Sequence, residues 1–291
     1  MCQMCMKHGA NGKWYLNARN YLKETYEAAD SVDYLTEIWG NLERAYVNKV
    51  YGLLNMKWMS KRVDTPLLGR FLKWYANRGF LRDGRKKKLN LDAVQGHMGQ
   101  VIPLEEAKII LREMASETIV KGVCPCKYFN KGVKEATCLG FSPLEEALPR
   151  LPRYIPENGL KRLDPEEAVS YVEEMSAKGY VQTIYTGPVP AVVALCNCDY
   201  PSCGALRLRD FDVKQTFKGE YVAIPDYDKC IACGKCLSRC SFGAISYSPL
   251  EGRPRIDVEK CFGCANCAEV CEQGAIQMVD RNTIPLTRGK Y

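Results

Sequence analysis

Two cysteine runs near the end of the chain offer eight thiols at regular intervals. They are Cys230-x2-Cys233-x2-Cys236-x3-Cys240 and Cys261-x2-Cys264-x2-Cys267-x3-Cys271. Thiolates bind iron–sulfur clusters, and this spacing lets three cysteines of a tight loop reach three corners of one cube. The fourth cysteine points away and serves the other cube. The ligand sets are therefore expected to cross. Cys230, Cys233, Cys236 and Cys271 hold one [4Fe-4S] cluster, and Cys261, Cys264, Cys267 and Cys240 hold the second. Zinc also uses paired Cys-x2-Cys units, but an ion takes only four ligands. A disulfide framework fits worse, because the chain is long and not dense enough in cysteine. The chemistry expected is single-electron transfer.

The two runs lie in a repeat. The segment from Asp228 to Ile245 aligns with that from Glu259 to Ile276, and each ends on Gly-Ala-Ile. A short apolar strand is expected after each run, with Ala223-Ile224 and Arg255 to Val258 as the partner strands. This unit resembles the bacterial two-cluster ferredoxins. Those usually carry proline after the fourth cysteine, where Ser241 and Glu272 stand here. The proline shapes the loop and is not a ligand. Glu272 is expected to lower the potential of a nearby cluster through its charge.

A second set of thiols lies upstream. Val123-Cys124-Pro-Cys126-Lys-Tyr128 is followed by Cys138, and Leu195-Cys196-Asn-Cys198-Asp-Tyr200 is followed by Cys203. A Cys-x-Cys pair closes a disulfide poorly but presents two thiolates to one metal centre. Two such half-sites are expected to face each other and hold further iron–sulfur. Six ligands exceed the four that one cubane uses. Either some stay as redox-active thiols, or Cys2 and Cys5 join them to supply two more cubanes. The plain alternative is that these are ordinary buried cysteines. Cys2-x2-Cys5-x2-His8 is a separate candidate for two or three metal ligands, with a frayed terminus as its rival.

Val-Cys-Pro-Cys at 123–126, Cys-Asn-Cys at 196–198, Cys203-Gly-Ala-Leu-Arg207 and the opening Cys-x2-Cys-x2-His-Gly with Lys13-Trp-Tyr-Leu16 carry a wider resemblance. With them, most of the chain resembles a group of multi-cysteine ferredoxin-like 4Fe-4S proteins of anaerobes. The resemblance implies iron–sulfur electron transfer. Related sequences carry more cysteines around Cys-Asn-Cys, where this chain has Asp199, Tyr200, Pro201 and Ser202.

The elements that must position these thiols make an α+β protein. With 291 residues and 46% hydrophobic content, the chain has enough apolar material for about two packed cores. A helical region is expected over 1–103, an α/β cysteine-rich domain over 104–218, the two-cluster domain over 219–280, and a tail over 281–291. In the first region, Val32, Leu35, Trp39, Leu42 and Tyr46 form a helical stripe, and another helix runs from Pro66 to about Asn77. In the second, a helix follows Pro103. Another starts at Asp164, with Pro165 at its first position and Glu167 completing a capping box. Strands are expected at Tyr180 to Thr186 and Val189 to Leu195, divided by Gly187-Pro188.

No apolar run approaches the roughly 20 residues that span a bilayer, and no export signal opens the sequence. Sixteen cysteines then point to a reducing, anaerobic cytoplasm. The net charge of +7 gathers in Lys57 to Arg62 and Arg82 to Lys88. Such runs are usually solvated loops, but they could also dock an acidic redox partner, an anionic lipid surface or nucleic acid, the last disfavoured because no binding motif is present. No nucleotide-binding loop appears, and His8 and His97 are the only histidines. An electron-transfer protein or subunit of a redox complex is therefore the leading expectation. An oxidoreductase acting at the Cys-x-Cys sites is the second, and a redox-sensing module is the third.

Overall fold

The computed structural model describes residues 1–28, 62–75, 98–115, 119–124, 126–128, 132–142, 161–187, 190–200, 202–212 and 214–291, with positions 32, 33, 36 and 78. Most of the stripe from Leu35 to Tyr46, both basic runs apart from Arg62, and the Asn77, Pro188 and Val189 positions lie outside these residues. Of the helix expected after Pro66, residues 68–75 are described and helical.

Among the described residues, seven strands form the central sheet: β1 Gly99–Val101, β2 Ile119–Val123, β3 Ala136–Phe141, β4 Lys161–Leu163, β5 Val181–Thr186, β6 Val192–Cys198 and β7 Thr216–Phe217. Their spatial order is β4-β2-β3-β6-β5-β1-β7. All pairs are antiparallel except β1 with β7. Two expectations change here. Gly99–Val101, read as the end of a helical stretch, is a strand, because its three residues are fully buried against β5. β6 does not stop at Leu195 but continues through Cys196 and Cys198, since its ladder with β5 pairs Val181 with Cys198.

The helix Pro165–Ala177 covers one face of this sheet. Asp164 accepts the Glu167 amide at 2.8 Å, and the Glu167 carboxylate accepts the Asp164 amide at 3.2 Å, closing the capping box. Its buried residues Ala168, Val169, Val172 and Met175 recur at helical spacing and enter the main core. Before it, the helix Leu104–Ile109 runs into a wider π turn, Ile110–Met114. The N-terminal segment joins the same core through Met4, Trp14 and Tyr15, all fully buried.

Two small antiparallel pairs stand apart from this sheet among the described residues. β8 Tyr221–Pro225 pairs with β11 Ile276–Asp280, and β9 Ile245–Ser248 pairs with β10 Arg253–Ile256. The strand before the first cysteine run thus meets the strand after the second run. This crossing closes the repeat on itself. The residues after β11 fold back, and Arg281, Thr287 and Tyr291 are buried.

Candidate metal centres

Both cysteine loops depend on left-handed backbone at matched positions. Ala232 and Gly263, each two residues after a first cysteine, have φ of 57° and 76°, and Gly234 and Ala265 have 75° and 66°. Each positive φ turns successive thiols inward around a common hollow. At 263 glycine is also a steric need, because a Cβ would lie 2.3 Å from the Tyr221 carbonyl oxygen.

Cys230, Cys233, Cys236 and Cys271 line one hollow, together with Pro225, Ile231 and Ile256. Cys240 gathers with Cys261, Cys264 and Cys267 on the other side. Backbone amides point at three of these sulfurs: Ala244 N to Cys240 Sγ at 3.2 Å, Ala275 N to Cys271 Sγ at 3.3 Å and Ala223 N to Cys261 Sγ at 3.4 Å. N–H donors aimed at sulfur favour the thiolate. Burial works the other way, raising Cys264 and pushing Cys267 up to about 12. Thiolates become favourable in such a place when a metal centre balances them. The donor set therefore fits two cubanes.

The two hollows sit in different surroundings. Cys233 is exposed and Ile231 is 66% exposed beside it. Lys235 pairs with Glu272 and holds that carboxyl below its ordinary range, so the Glu272 charge expected to act on the cluster is largely neutralised by its partner. Around Cys261 three cations lie partly or wholly buried. Arg209 is lowered to about 10 by burial and by Arg281, and Lys218 to about 8 by burial, Arg281 and Arg209. Three mutually repelling cations are stabilised by an anionic neighbour, which a thiolate-ligated cluster supplies. Arg281 also donates to the carbonyls of Gly219, Tyr221 and Cys261 at 2.8, 2.9 and 2.8 Å. No motif marks this arginine in the sequence. It reads only as one of three basic residues after the strand Ile276–Asp280.

The six upstream thiols meet in a closed ring. Cys124 neighbours Cys126 and Cys138, Cys126 neighbours Cys203, Cys203 neighbours Cys198, Cys198 neighbours Cys196, and Cys196 neighbours Cys138. The Cys203–Cys198 separation is 3.3 Å. Each link has a structural cause. Cys196 and Cys198 stand two apart on a strand and so share a face. Register places Cys138 of β3 opposite Cys196. A register shift at Gly122 and Val123 releases Cys124 from β2, and a turn closed by Tyr128 N to Cys124 O at 3.0 Å follows. Asp199 and Ser202 make the turn that carries Cys203 back under Cys198. Hydrogen bonds from Cys138 and Cys198 lower Cys196 to about 7, while the bonds that Cys138 makes to Cys124 and Cys196 push its own thiol well up. Thr183 also donates to Cys198 Sγ at 3.0 Å.

The ring abuts the second hollow. Cys196, Cys198, Cys203, Phe242, Phe262 and Cys264 pack in one cluster, and Phe242 stacks on Phe262 at 3.9 Å. Cys2 and Cys5 stay apart from the ring and lie with Glu220. His8 does not join them. Its carbonyl instead accepts from Asn17 and Asn20.

Residues 229–275 match the 4Fe-4S dicluster domain family. Over 68 residues the chain is 37% identical to a tetrathionate reductase subunit of Archaeoglobus fulgidus. The match covers 23% of this chain and 31% of that protein's length. The C-terminal part is thus a ferredoxin-like 4Fe-4S unit on a mixed α/β protein, and its chemistry is electron transport. Among the described residues, no helix is long and apolar enough to cross a membrane.

Proposed function

We propose that this chain is the electron-transfer subunit of a larger anaerobic redox complex. Cys230, Cys233, Cys236 and Cys271 hold one [4Fe-4S] cluster, Cys261, Cys264, Cys267 and Cys240 hold the second, and the six-thiol ring holds a further iron–sulfur centre. When bound, these groups take up and release one electron at a time. The protein orders them. The first set faces solvent at Cys233 and Ile231, where a redox partner has access. The second is enclosed by Arg209, Lys218 and Arg281, whose charge stabilises added electrons. The ring lies further in, across Phe242 and Phe262. The likeness to one subunit of a reductase supports a place in a larger complex, and sixteen cysteines suit a reducing cytoplasm.

The observation that carries this reading is the closed ring packed against Cys264. Iron and acid-labile sulfide on anaerobically purified protein test it. About twelve of each are expected with one further cubane, and about eight after Cys126→Ser and Cys198→Ser together. About eight in the unaltered chain would remove the ring from the reading. The surplus of thiols over the four that a cubane uses favours one second reading, a substrate-reducing site at the ring. Turnover of a reducible substrate by the isolated chain, lost in Cys198→Ser, would favour it.

A further inference from the structure

The N-terminal Cys-x2-Cys pair belongs neither to the dicluster loops nor to the thiol ring. Cys2 is the N-cap of the helix Gln3–His8, and Cys5 lies in its first turn. Both are almost fully buried, at 2% and 1% exposure, as is Glu220 at 3%. Cys2 Sγ is 3.5 Å from Cys5 Sγ, Cys5 Sγ is 3.2 Å from Glu220 Oε1, and Cys2 Sγ is 3.8 Å from Gln100 Oε1.

These separations correspond to three of the six edges of a tetrahedron around one ion. Bonds of about 2.3 Å to sulfur and about 2.1 Å to oxygen put sulfur roughly 3.8 Å from sulfur and roughly 3.6 Å from oxygen. The three distances agree with those edges to within about 0.4 Å. Among the described residues, only Cys2, Cys5 and Glu220 form a trio of Cys, His, Asp or Glu whose ligand atoms all lie within 4.8 Å of one another. Among these residues, no three thiols of the two hollows or of the ring lie all within 4.8 Å of one another. This set is spaced for a single ion.

The oxygen donors are also held from behind. Trp14 Nε1 donates to Gln100 Oε1 at 2.7 Å and orients it towards Cys2. Gln100 Nε2 donates to Lys218 O at 3.1 Å and to Glu220 Oε1 at 3.2 Å, and Tyr291 OH donates to Glu220 Oε2 at 2.9 Å. Partners of this kind fix the orientation of metal ligands.

We propose that Cys2, Cys5, Glu220 and Gln100 bind one zinc ion, separate from the iron–sulfur centres. Two thiolates with two oxygens suit a borderline-soft tetrahedral ion and not calcium or magnesium, which take oxygen alone. Binding expels the two thiol protons. The ion joins the N-terminal helix to β1 and to the residue leading into β8, so it staples the chain's start to the support of the second cysteine loop.

The test is metal analysis of the whole chain, purified anaerobically from zinc-replete cells, with X-ray absorption at the zinc edge, which is blind to iron. One zinc per chain with two sulfur and two oxygen or nitrogen neighbours is expected. Cys5→Ser and Glu220→Gln should each retain less than a tenth of the zinc at fixed free zinc while keeping the iron content of the parent, which also reports that they fold. Three results would overturn the proposal: no stoichiometric zinc, a four-sulfur zinc shell, or an intact mass two hydrogens low from a Cys2–Cys5 disulfide. The measurements on the unaltered chain decide the matter even if a variant fails to fold.

Discussion

Replacing Arg281 by methionine should loosen one iron–sulfur loop and spare the other. The guanidinium is fully buried and donates three bonds of 2.8–2.9 Å to carbonyls of residues 219, 221 and 261. Methionine fills most of the volume but leaves those acceptors unpaired, at about 1–3 kcal/mol each. Relief from burying a cation offsets part of that cost. A net local loss of about 3 kcal/mol follows. At about 1.4 kcal/mol per tenfold, the Cys261 loop should open about 100-fold more often. Anaerobic bleaching by an iron chelator measures this directly. The variant should bleach in two phases, one at the parent rate and one about 100-fold faster, with electron paramagnetic resonance of the reduced protein showing a single remaining dicluster signal between them. Bleaching of both clusters together at the parent rate would refute the role given to Arg281.

Cys233 is exposed and belongs to the outer hollow, so Cys233→Ser should disturb that cluster and leave the inner one with its spectrum unchanged. Loss of both would mean that the two hollows do not form independently. Asp164→Ala removes the capping box of the helix Pro165–Ala177 and should cost about 1 kcal/mol in thermal or denaturant unfolding without changing iron content. Stripping the clusters should expose the repulsion among Arg209, Lys218 and Arg281. In the stripped chain Lys218 titrates near 8, against 10.5 ordinarily, so between those values the unfolded state binds more protons and stability rises with pH. The penalty is complete below pH 8 and fades towards 10.5. Denaturation midpoints across this window should therefore climb, and Lys218→Met should flatten the climb; an equal slope in the variant would contradict it.

The cysteine runs, their repeat and the capping box were legible in the sequence because each is decided within a few residues. Spacing determines which thiols share a loop, and Asp164-Pro165 with Glu167 determines where a helix starts. The limits of β6 were not legible, since its last residues are held by pairing with β5 and by burial that the local pattern does not express. The two Cys-x-Cys segments read as half-sites, but their meeting depends on strand register, with Cys138 opposite Cys196, and on the turn that returns Cys203. Arg281 and Glu220 were invisible for a related reason. Each is a common charged residue with no neighbouring motif, and its role comes from segments 20 to 218 residues away in sequence. The sequence by itself determined the chemistry on offer, thiols spaced for iron–sulfur. Tertiary structure decided which thiols meet, which are balanced by charge, and which face solvent, because those properties depend on contacts between distant segments.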